Sequence, residues 1–64
     1  MFKYILTAPN NYRCEFYTFD DACRQLRILY QLDDYDGVFQ LDKYDNDHFI
    51  ETLIYHDSRD DYGS

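Results

Sequence analysis

The chain has no tryptophan, two glycines, one proline and two cysteines, and the shortages of glycine and cysteine each remove a class of protein. Two glycines leave no material for a glycine-rich phosphate-binding loop, and no Ser and His stand in a recognisable nucleophile motif. The chain is therefore expected not to be an enzyme, with no catalytic residue and no cofactor. Cys14 and Cys23 are too few for a disulfide framework, and without a secretory signal they are expected to be reduced thiols in the core. No stretch approaches the roughly 18 apolar residues of a transmembrane helix. Met1-Phe2-Lys3-Tyr4-Ile5-Leu6 is too short and too strand-like for a signal peptide, so a cytosolic location is expected. Bases are scarce as well: six Lys and Arg stand against thirteen Asp and Glu, a net charge of -7. That field repels nucleic acid and anionic membranes and favours a basic protein partner.

What is present suffices for a core. Hydrophobic residues make up 45% of the 64 positions and aromatics 20%, as eight Tyr and five Phe, far from the composition of a disordered chain. A chain of about this length buries only about 60% of its unfolded surface, so thin stability or self-association is expected.

The pattern along the chain predicts one ββαββ domain over residues 1–56 and an acidic, mobile tail over 57–64. Phe2 to Thr7 alternates with a period of two, as a half-buried strand does. Ala8-Pro9-Asn10-Asn11 supplies turn chemistry, and Tyr12 to Tyr17 alternates again to complete a hairpin. Thr18 is placed to cap a helix, with Asp20 and Asp21 in its first turn where the helix dipole favours negative charge. Phe19, Ala22, Cys23, Leu26, Leu29 and Tyr30 form its buried stripe, and Ile28 and Leu32 are expected to widen that core face. Gly37 is expected to supply the left-handed residue that ends the helix. Val38–Lys43 and His48–His56 then form a second hairpin through a Tyr44-Asp45-Asn46-Asp47 turn, with Ile50, Thr52 and Ile54 alternating with Phe49, Glu51, Leu53 and Tyr55. The fold class is α+β: a four-stranded antiparallel sheet with one helix packed on one face. The other face is left to display Lys3, Ile5, Arg13, Glu15 and Tyr17 together with some of Phe49, Leu53 and Tyr55.

Metal sites find little support. His48 and His56, eight residues apart on one strand, would stand roughly 26 Å apart at 3.3 Å per residue. The aspartates fail the calcium-loop spacing, because Gly37 as the loop glycine would need an acid at Leu32. No metal ligand is assigned.

Charge placement is more informative. Residues 1–32 hold three acids and four bases, whereas residues 33–64 hold ten acids and two bases. Eleven of the thirteen acids are Asp, clustered near the helix exit, the second hairpin and the tail with tyrosines between them. One end of the molecule is expected to be strongly negative. Asp33, Asp34, Tyr35, Asp36, Asp42, Tyr44, Asp45 and Asp47 are the candidate partner-binding residues. Carboxylates in such an array can stand in for phosphates, and tyrosine rings can pack where bases lie. In composition the chain is similar to the small acidic DNA-mimic inhibitors with which phages and mobile elements block nucleic-acid-processing proteins. That likeness implies binding to a basic nucleic-acid-binding protein, not to nucleic acid itself. The alternative is a structural or accessory protein that self-associates as a homodimer through its open sheet face or an edge strand.

Overall fold

A computed structural model describes residues 1–32 and 35–59. It contains β1 (Phe2–Ala8), β2 (Tyr12–Phe16), α1 (Phe19–Tyr30), β3 (Val38–Asp45) and β4 (His48–Asp57). The four strands form one antiparallel sheet in the order β2-β1-β3-β4, so the expected ββαββ α+β fold is the observed one. Among the described residues no helix is long and apolar enough to cross a membrane.

Local chemistry accounts for the turns and for the helix start. Asn10 and Asn11 take φ of 68° and 62° between β1 and β2, and Asn46 and Asp47 take 48° and 72° between β3 and β4. Asn and Asp tolerate this left-handed region. Between β3 and β4 the two residues that take it are the whole turn, which matches the twist of a hairpin, whereas the β1–β2 connection has three residues, Pro9 to Asn11. Tyr44 and Asp45 therefore belong to β3, not to the turn, and β3 is two residues longer than the alternation alone suggests. Thr18 caps α1 by accepting a hydrogen bond at Oγ1 from the Asp21 backbone N–H at 3.2 Å. The far end differs from expectation. Gln31, in ordinary right-handed conformation, closes the helix. Gly37 instead sits at the entry to β3 with φ of 150°, where a Cβ would lie 3.0 Å from Pro9 Cγ. Its N–H donates to Ser58 Oγ and its carbonyl accepts from the Ser58 N–H, both at 2.9 Å. The strand end at Asp57 and the residues Ser58 and Arg59 are thus tied to the domain, while residues 60–64 of the expected tail lie outside the described residues.

The core lies between α1 and the sheet: Leu6, Ala22, Leu29, Phe39 and Leu41 are buried, with Tyr4, Phe16, Cys23, Leu26 and Ile54 packed around them. Phe19 meets Tyr4 edge-on at 6.0 Å, and Tyr30 packs on Phe39 at 5.7 Å. Ile28 is 49% exposed and Leu32 is exposed as well, so neither widens the core face. They lie beside the stripe defined by Ala22 and Leu29, and a helix over a sheet this narrow seals only that stripe.

β4 departs from simple alternation. Leu41 pairs with Ile54 but Asp42 with Thr52, and Lys43 pairs with Glu51 but Tyr44 with Phe49. Leu53 and Ile50 are therefore extra residues at two bulges, each of which resets which side chains share a face. Thr52 consequently joins Phe49 and Tyr55 on the face away from α1, while Glu51 joins Ile54 and His56 on the helix side. Strict alternation had placed Thr52 with Ile54 and Glu51 with Tyr55.

Candidate functional site

The sheet order turns a division along the sequence into a division in space. β2 and β4 are opposite edges, with β3 beside β4. Residues 35–59 carry six acids and two bases, against three acids and four bases in residues 1–32. The β3–β4 side is thus acidic, and the β2 side, with the helix that follows it, is close to neutral.

The sequence-predicted residues do not gather at one end. Asp33 and Asp34 lie outside the described residues. Tyr35 packs against the core and meets Tyr12 edge-on at 6.1 Å. Asp36 is exposed near the start of β3 and accepts from Ser58 Oγ at 3.0 Å. Asp42 lies in mid-sheet, where its carboxylate accepts from Thr52 Oγ1 at 2.8 Å and from Gln40 Nε2 at 3.0 Å. Tyr44 lies one row further on, against Phe49 with ring centroids 5.7 Å apart. Asp45 ends β3 and Asp47 lies in the β3–β4 turn, about 23 Å along the strand from its start at 3.3 Å per residue. The expected single negative end is therefore two ends and a middle, because eight residues of extended chain separate acids that are close in sequence.

Nor do all of these carboxylates stand unopposed. Pairing of β1 with β3 brings the amino terminus of Met1 to 3.3 Å from Asp45 Oδ1. Lys3 Nζ lies 2.7 Å from Asp47 Oδ1 and 3.6 Å from Glu15 Oε1. The bond to Lys3 holds the Asp47 carboxyl below the usual carboxylate value, and the bond to Asp47 raises the Lys3 ammonium in turn. Asp57 is likewise lowered by Arg59, whose guanidinium reaches it at 3.0 Å. Burial raises the Tyr12 phenol, with Cys14 beside it adding to the effect.

The exposed apolar surface of this side belongs to β4. Phe49 is 56% and Tyr55 66% exposed, and Ile50 is exposed at its bulge. On the face away from α1, Phe49, Thr52 and Tyr55 run beside Tyr44, Asp42 and Gln40 of β3. Phe49, Glu51 and Tyr55 were not among the predicted contacts. The signal available was a strand over His48–His56 with apolar residues on both faces, a pattern that suits a central strand or one that meets a partner. The sheet order puts it at the edge, which leaves the partner reading. On the helix side a shallow groove of about 380 Å³ runs between Leu26, Arg27, Tyr30 and Gln31 of α1 and Phe39, Ile54 and His56 of the sheet. The Tyr30 hydroxyl and His56 Nε2 share a hydrogen bond at 3.3 Å across it.

The rest of the open face is different in kind. Ile5 lies on it with only 4% exposure, flanked by Glu15 on β2, Asp42 on β3, and Lys3 and Thr7 along its own strand. Polar side chains close over a single apolar residue there, so its centre offers no apolar platform for a second sheet. Among the described residues no group of three or more His, Cys, Asp or Glu is placed to hold a metal ion. Cys14 and Cys23 are free thiols, both half-buried. No protein-family model, curated protein or solved structure matches this chain, and the site is read from its own residues alone.

Proposed function

We propose that this chain is a non-catalytic protein-binding module that docks a basic protein surface through its acidic β3–β4 side. The observation that carries the reading is the coincidence, on one edge of the sheet, of the acidic half of the sequence with exposed Phe49 and Tyr55. Carboxylates steer a basic partner and fix its register, and the aromatic side chains supply the desolvated contacts that hold it. The two bulges disrupt the ladder at this edge, so the partner meets side chains instead of adding a strand. In its finer form the partner is a nucleic-acid-binding protein and the chain a phage- or mobile-element-type inhibitor, with Asp36, Asp42 and Glu51 occupying phosphate positions and the rings packing where bases or sugars lie.

The test is capture on the immobilised chain from host lysate at low and high salt, with duplex DNA as competitor. A Phe49→Ala/Glu51→Gln/Tyr55→Ala variant runs in parallel. The expected result is one basic nucleic-acid-binding protein, retained at low salt, displaced by high salt and by DNA, and lost in the variant. Retention that ignores salt, or that the variant preserves, overturns the reading.

A further inference from the structure

The opposite edge of the sheet has a different character. β2 pairs with β1 from Ala8↔Tyr12 to Tyr4↔Phe16 without a register break, and it contains no proline. Among the described residues no other element's backbone pairs with its outer side. Natural proteins cover, kink or charge such an edge, because its free N–H and C=O groups are a template for another strand. Here the charge takes a particular order. The strand reads Tyr12-Arg13-Cys14-Glu15-Phe16: aromatic, base, thiol, acid, aromatic.

That order is complementary to itself when reversed. Set antiparallel to a second copy about a two-fold axis at Cys14, Arg13 falls opposite Glu15 of the second copy and Glu15 opposite its Arg13. Both pairs lie on the face away from α1, where Arg13 and Glu15 are exposed. On the helix side Tyr12 falls opposite Phe16 of the second copy, and both are half-buried residues with surface left to cover. Opposite charges and aromatic pairs directly across two strands are the favourable cross-strand combinations. Sliding the register by two residues in either direction sets Arg13 against Arg13 or Glu15 against Glu15, so the sequence selects one register. The global field agrees, since joining at β2 keeps the two acidic β3–β4 sides at the far edges of the assembly, where their repulsion is most screened.

We propose that two copies of this chain pair through β2, antiparallel and centred on Cys14, into one continuous eight-stranded sheet. The partner-binding edge at β4 stays free in this dimer, so the two readings stand or fall separately.

Charge swapping tests it. Sedimentation velocity over micromolar to millimolar concentrations measures self-association of the chain, of Arg13→Glu and of Glu15→Arg, with circular dichroism to confirm that each is folded. Each variant alone opposes like charges at both pairs and should dimerise at least about tenfold more weakly. Mixed in equal amounts, the two variants again set acid against base at every opposed position, and association should return. A variant that fails to fold is replaced by the Gln substitution at the same position, for which weakening is also expected. A monomer at every concentration, a dimer indifferent to both substitutions, or a mixture of folded variants that does not associate overturns the proposal.

Discussion

Ile5 offers the most direct test of how this fold is held together, because it is buried on the face that no helix covers. Replacing an Ile in a packed core with Ala costs about 2–5 kcal/mol, the lower values applying where surroundings can collapse into the space. Around Ile5 the lid is made of Lys3, Glu15, Asp42 and Thr7, of which Lys3 and Glu15 are long and can settle inward. We therefore expect Ile5→Ala to cost about 2–3 kcal/mol. For a chain this short the whole stability is about 3–10 kcal/mol, taken from a typical 0.05–0.15 kcal/mol per residue. With a urea slope of about 1 kcal/mol per molar, the midpoint should fall by about 2–3 M. Urea unfolding followed by far-ultraviolet circular dichroism measures it, and Ile28→Ala, 49% exposed on α1, is the internal comparison, expected within about 0.5 kcal/mol of the parent. A loss below about 1 kcal/mol at Ile5 would refute the claim that polar side chains alone seal this face.

The remaining expectations concern charge and backbone. Asp47 and Asp57 have carboxyl groups held below their ordinary value of 3.8 in the folded chain. Their contribution to stability is therefore present above that value and is lost as pH falls through the lower folded-state values, so Asp47→Asn should flatten the acid limb of the stability profile below about pH 4. Lys3, raised above 10.5, contributes stability below that value and loses it as pH rises beyond, and Lys3→Met should flatten the alkaline limb. Gly37→Ala should cost more than about 1 kcal/mol in urea unfolding, since a side chain there is strained at its positive φ and meets Pro9; a neutral result would mean the β3 entry rearranges freely.

The parts of this structure that could be read from the sequence are the ones decided by neighbours along the chain. The alternation from Phe2 and from Tyr12, the Thr18 cap and the Asn-rich turns each carry their own local reason, and together they lead to the observed ββαββ order. What could not be read depends on strand order. The bonds from Lys3 to Asp47 and from Met1 to Asp45 exist because β1 lies beside β3, which alternation does not dictate. The same holds for Ile5, whose burial comes from Glu15 and Asp42 on two different strands. In β4 the alternation from Phe49 to Tyr55 looked continuous because each bulge residue, Ile50 and Leu53, is itself apolar and disguises the shift. The acidic residues were rightly assigned to the second half of the chain, but extended strands separate residues that composition had grouped together.

Those two bulges also bear on how the chain can change in length. Ile50 and Leu53 each occupy a place in β4 that has no counterpart on β3, so β4 carries slack in its register. Deleting Ile50 would leave Lys43 opposite Glu51 and Tyr44 opposite Phe49 with nothing between the pairs, a shorter and flatter strand in the same register. Such a deletion spends no ladder partner, but it removes one of the irregularities that keep this edge from adding further strands. Loss of a single codon here would be tolerated by the fold and felt as aggregation, which makes the uneven strand a safeguard of solubility in a molecule whose other edge is regular.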